Sequence, residues 1–109
     1  RAGTGNALPH LLTADEFGSA EAYRLNFVQK VVPAGQELDE ALAIAQRIAA
    51  QAPRAVVATR LNVLKAIEQG QAAAVADFIP VQKQLANSED AAEGVRAFVE
   101  RRPAQFSGR

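Results

Sequence analysis

The sequence predicts a mainly α chain with one short strand. Apolar residues recur at helical spacing through most of its length, glycine and proline punctuate those runs at short intervals, and only one window alternates as a strand would. The first stretch, "RAGTGNALPHLL", carries two glycines and a proline and is expected to be an irregular lead-in with a short apolar turn. "TADEF" follows, where Thr13 and Glu16 have the spacing of a capping box, so a short helix is expected to start there. "SAEAYRLN" repeats the device, with Ser19 as N-cap, Ala22 and Leu25 inward and Asn26 as the left-handed stop. "FVQKVV" alternates and supplies the short strand, closed by Pro33.

From about Leu38 to Gln51 the pattern is a long helix, with Leu38, Ala41, Leu42, Ala45, Ile48 and Ala49 on one face. Pro53 ends that run and opens the next, since a first-turn residue needs no N–H donor. Val57, Leu61 and Leu64 form the next inner stripe, up to a stop at Gly70. A further helix from Gln71 to about Ala86 should turn Val75, Phe78, Ile79 and Leu85 inward, with a kink or break at Pro80. The last helix starts at Ser88, carries Glu89, Asp90 and Glu93 early and Arg101 and Arg102 late, and so matches the macrodipole at both ends. Residues 1–33 thus read as lead-in, short helix and strand, and 34–109 as a helical region.

Composition narrows the function classes. Twelve basic and twelve acidic side chains cancel, so no net field draws the chain to nucleic acid or an anionic membrane. Zero cysteines excludes disulfides and thiolate metal sites and fits a cytoplasmic setting. There is no signal-peptide pattern and no apolar run long enough to span a bilayer. The chain opens on Arg1 and holds no methionine, which reads as a piece of something longer.

No side-chain constellation suggests catalysis. His10, the sole histidine, has no second histidine or cysteine with which to share a metal, and reads as structural or surface. Asp15 and Glu16 are adjacent, so on a helix they point about 100° apart rather than toward one substrate. "AGTG" lacks the strand, spacing and helix of a phosphate loop. Ser19, Thr59 and Ser107 have no base nearby in sequence. Phe98 lies on a helical stripe with Ala91, Val95 and Val99 and reads as core, while Arg101 and Arg102 read as solvated cations at a helix end.

The tail, "SED", "EG", "AFVERR" and then "P", "F" and "GR", resembles the C-terminal ending of the crotonase family of enoyl-CoA hydratases and isomerases. Upstream, "LLTADEFGSAEAYRLNFVQKVVPAG" and "AIAQRIAAQAP" resemble that family's preceding segments in order and spacing. The resemblance implies the end of the catalytic domain plus the helical C-terminal region that packs subunits into trimers or hexamers. The β/α spiral domain, which bears the oxyanion hole and the catalytic glutamates, would be absent from Arg1–Arg109. It further implies that Phe98 and Arg101 contact a neighbouring subunit's CoA, with Arg101 standing where the family has lysine. CoA is then part of the substrate, no separate cofactor is implied, and 2-enoyl-CoA hydration is the leading reaction for the parent enzyme. Ala14 and Asn26 replace two family glycines. The alternative is a stand-alone helical interaction module without enzymatic activity.

Overall fold

A computed structural model describes residues 2–109, in six helices. They are α1 (Thr4–Thr13), α2 (Ser19–Arg24), α3 (Glu37–Ala49), α4 (Pro53–Gln69), α5 (Gln71–Ala86) and α6 (Glu89–Glu100). The chain divides into two compact units, one running through Ala41 and the other Leu42–Arg109. No helix among the described residues is long and apolar enough to cross a membrane.

In the first unit the lead-in is helical, contrary to expectation. Its alanine and leucine residues favour a helix, and Pro9 costs it only the bond to the carbonyl of Gly5, an exposed residue that water can serve. The expected capping box at Thr13 does not form. Thr13 is instead the last residue of α1, its hydroxyl donating to the Pro9 carbonyl at 2.8 Å. Ala14 then ends the helix in the left-handed region at φ 57°. At α2 the N-cap is Gly18 rather than Ser19, and Leu25, only 2% exposed, is the most buried residue of this unit.

The expected strand at residues 27–32 is also replaced. The N–H groups of Phe27 and Val28 both donate to the Ala22 carbonyl, at 2.9 and 3.4 Å, so the segment begins as the wrapping end of α2. Among the described residues it has no partner strand, and an unpaired strand has no ladder to hold it. Asn26 takes the left-handed conformation at φ 60°, as its side chain permits. His10, Phe17 and Phe27 form an aromatic row, with ring centroids 4.5 Å apart for the first pair and 5.5 Å for the second. Gly35, at φ 88°, supplies the positive φ of a turn closed by Gln36 N–H to the Pro33 carbonyl, 3.1 Å.

In the second unit α5 doubles back along α4 after Gly70, which at φ 88° makes the reversal in one residue. Asn62 Nδ2 donates to the Ala74 carbonyl at 2.9 Å, and Lys65 pairs with Asp77 across the same seam. Pro80 does not break α5, which is assigned as one helix across it. Ala76, whose carbonyl Pro80 cannot serve, is exposed to water, so the missing bond leaves no buried orphan.

The larger correction concerns which faces are covered. Leu38, Leu42 and Ile48 of α3 are 50% or more exposed, as are Val57 and Leu61 of α4 and Val75 and Ile79 of α5. Ala74 and Ala97 are the only apolar residues of the second unit that are fully buried among those described. The helical periods are correct, but within this chain most of the apolar stripes meet solvent instead of a partner.

Candidate functional site

Helix α6 is built by its ends. Ser88 caps it, accepting from Ala91 N–H at 3.1 Å while its own hydroxyl donates to the Leu85 carbonyl at 2.6 Å. Glu89 and Asp90 place negative charge in the first turn, where the helix dipole favours it. The C-terminus is a complete Schellman turn: Arg102 N–H reaches the Ala97 carbonyl at 3.1 Å and Arg101 N–H the Phe98 carbonyl at 3.3 Å. Arg101 takes the left-handed position of that turn, at φ 54° and ψ 42°.

The face of α6 that this chain buries is acidic. Asp90, Glu93 and Ala97 recur at helical spacing on one side, and the tail after Pro103 folds back over them. Asp90 Oδ1 accepts from Ser107 N–H at 2.7 Å and Oδ2 from Gly108 N–H at 2.9 Å, while Asp90 N–H donates to the Arg109 carbonyl at 3.1 Å. Glu93 takes both prongs of the Arg102 guanidinium, 2.5 Å to Nη1 and 3.0 Å to Nη2, and also the Gln105 N–H at 3.0 Å. Arg96 adds a bond from Nε at 3.1 Å, and Arg102 Nε turns to Glu100 at 2.5 Å.

These contacts set the electrostatics. Arg102 first, and the Gln105 N–H second, hold the Glu93 carboxyl well below the usual carboxylate range, at about 2. In return Glu93 first, and Glu100 second, push the Arg102 guanidinium further up. Arg102 is therefore a structural cation rather than the solvated one that sequence position suggests. The roles of Asp90 and Glu93 as anchors for the tail were also missed. Their three-residue spacing was visible, but in an amphipathic helix it marks a solvated face unless something folds over it.

Phe98 and Arg101 lie outside this clasp. Phe98 is 85% exposed, with Val95 and Val99 also exposed on the side of α6 opposite Asp90 and Glu93. The reading of Phe98 as core is thus corrected, because the tail covers the acidic face and nothing among the described residues of this unit covers the apolar one. Arg101 is exposed, and among the described residues no hydrogen bond or ion pair engages its guanidinium. The two are joined through the backbone bond of the Schellman turn. His10 packs against Phe17, and Asp15 N–H donates to the Thr13 hydroxyl at 3.3 Å.

A second feature is an apolar groove of about 480 Å³ along the α4–α5 hairpin, lined by Val57, Ala58, Leu61, Val81 and Leu85 together with Lys65. It holds no pair of groups suited to proton transfer.

All of residues 1–109 match the family model described as enoyl-CoA hydratase/isomerase. Enoyl-CoA hydratase EchA19 of Mycobacterium tuberculosis is 35% identical over 91% of this chain and 37% of its own length. Carnitinyl-CoA dehydratase of Proteus mirabilis is 33% identical over 91% of this chain and 40% of its own. In three dimensions the chain superposes on a probable enoyl-CoA hydratase/isomerase from Mycobacterium abscessus with a TM-score of 0.95. The identity is 49%, over 99% of this chain and 42% of that one. The chain spans about two fifths of the length of these relatives. With the family's tail motif folded into the clasp of α6 and the match running from end to end, this chain belongs to the enoyl-CoA hydratase/isomerase family.

Proposed function

We propose that this chain is the helical C-terminal region of an enzyme acting on acyl-CoA thioesters, with hydration of a 2-enoyl-CoA as the reaction of the whole protein. Residues 34–109 serve oligomerisation and complete part of a CoA site in trans, while the catalytic groups lie outside this chain. The observation that carries this reading is the exposed end of α6. An aromatic ring 85% exposed stands three residues before an unengaged guanidinium, on a helix whose other face is sealed. An aromatic face can stack on a purine, and a guanidinium can bind phosphate with paired hydrogen bonds. CoA presents both.

Oligomerisation is supported by the uncovered stripes on α3, α4 and α5, which exceed the scattered apolar exposure of an ordinary monomer. The absence of cysteine supports a cytoplasmic enzyme. The whole protein is expected to hydrate crotonyl-CoA, and Phe98→Ala to raise KM for the thioester with little change in kcat. No turnover of crotonyl-CoA would sink the hydration assignment, and an unchanged KM would remove Phe98 from the site. The same exposed stripes also suit a stand-alone interaction module. That reading requires a whole protein with no turnover of any acyl-CoA and no CoA binding.

A further inference from the structure

Among the described residues three besides the glycines have positive φ, and they differ in what excuses them. Asn26 tolerates the region through its short polar side chain, and Ala14 carries the smallest Cβ penalty available. Arg101 has neither excuse, and the position it fills in a Schellman turn is the one glycine most often takes. Elsewhere this chain does use glycine at positive φ, at Gly3, Gly35, Gly70 and Gly108. A long charged side chain kept in a strained conformation persists only where its surroundings over-determine it.

The surroundings here do so from both sides. Before Arg101, the two Schellman bonds tie the turn to Ala97 and Phe98. After it, Glu93 grips the chain twice: both carboxylate oxygens hold the Arg102 guanidinium, and Oε1 also takes the Gln105 N–H. Glu100 and the Pro103 carbonyl occupy other Arg102 donors, at 2.5 and 3.1 Å. Arg102 is thereby drawn back over the acidic face of α6, and its neighbour Arg101 is left exposed and uncommitted.

Resting on the CoA-contact reading above, we infer that Glu93, acting through Arg102, is a positioning residue that holds Arg101 in its left-handed conformation and so presents a preformed anion-binding guanidinium beside Phe98. Glu93 touches no substrate. It lowers the ordering cost that a flexible cationic tail would incur on binding.

The test is a double-mutant cycle in the whole enzyme, reading KM and kcat for crotonyl-CoA, calorimetric affinity for free CoA, and the thermal midpoint. Arg101→Gly is expected to weaken CoA binding and raise KM about fivefold with kcat within about twofold, while raising the thermal midpoint because glycine relieves the strain. Glu93→Gln is expected to raise KM by a similar factor in the parent and to add nothing in the Arg101→Gly background, where no guanidinium remains to be positioned. Arg102→Lys keeps the charge but loses the two-pronged bond and should follow Glu93→Gln; it carries the same cycle if Glu93→Gln does not fold. If Glu93→Gln leaves KM unchanged, or raises it equally with and without Arg101, the positioning role is overturned and the clasp is structural only. If Arg101→Gly itself leaves KM and CoA affinity unchanged, the CoA-contact reading fails first, and the inference falls with it.

Discussion

The α6–tail clasp and the α4–α5 hairpin are neighbours in one compact unit, yet they solve the problem of surface in opposite ways. The clasp buries carboxylates: Asp90 is 4% exposed and Glu93 8%. Every buried side-chain polar atom among the described residues finds a hydrogen-bond partner. The hairpin exposes hydrocarbon, leaving Val57, Leu61 and Val75 open beside a groove. Polar groups buried with full pairing give a closed, geometrically specific structure that needs nothing further. Apolar groups left open give a surface whose burial awaits another one. The clasp should therefore govern the stability and geometry of the tail, and the hairpin should govern association.

Substitutions in the clasp test the first half of that contrast most severely. Asp90→Ala strands the N–H groups of Ser107 and Gly108 and is expected to cost about 2–3 kcal/mol in denaturant unfolding, with Asp90→Asn costing less. A loss no larger than that of an exposed surface change would show that the tail is held by other means.

Acid titration sharpens the same point at Glu93. Its carboxyl is lowered from 4.5 to about 2 in the folded chain, so the unfolded chain binds the proton first as pH falls. The stability this group contributes is complete above about pH 4.5 and is lost as pH drops toward 2. The free energy of unfolding measured across that window should fall more steeply with falling pH for the parent than for Glu93→Gln, and equal slopes would contradict the clasp geometry.

Outside both regions, Ala14→Gly removes a Cβ from the exposed, left-handed end of α1. It should stabilise the chain by up to about 1 kcal/mol, the left-handed penalty less the extra entropy of glycine. Leu61→Gln, on the open hairpin, should change unfolding of the isolated chain by less than about 0.5 kcal/mol. The same substitution should weaken self-association measured by sedimentation. A large stability loss in dilute monomer would mean that the groove is core after all.

Much of the architecture was legible because its signals are local. Pro53 and Gly70 bound α4, Ser88 caps α6, and Asn26 ends α2 in the left-handed region, each decided by the backbone or capping preference of one residue. Errors arose where local signals compete. The glycines and Pro9 argued against α1 but fell at exposed positions where water supplies the missing bonds, and "FVQKVV" alternates like a strand without a partner to pair with. The family's tail motif was readable as text, and it led to Phe98 and Arg101. The meaning of Glu93 and Arg102 was not readable, because their bond joins residues nine apart through a turn that sequence spacing does not describe.

The sequence by itself determined helices α3 to α6 and the family, since these depend on side-chain period and residue identity along the chain. Only the tertiary structure decided which face of each helix is covered. An amphipathic pattern specifies that two faces differ, but which one is buried depends on what folds against it. On α6 a six-residue tail with well-placed N–H groups wins the acidic face, leaving Phe98 and Arg101 to the outside.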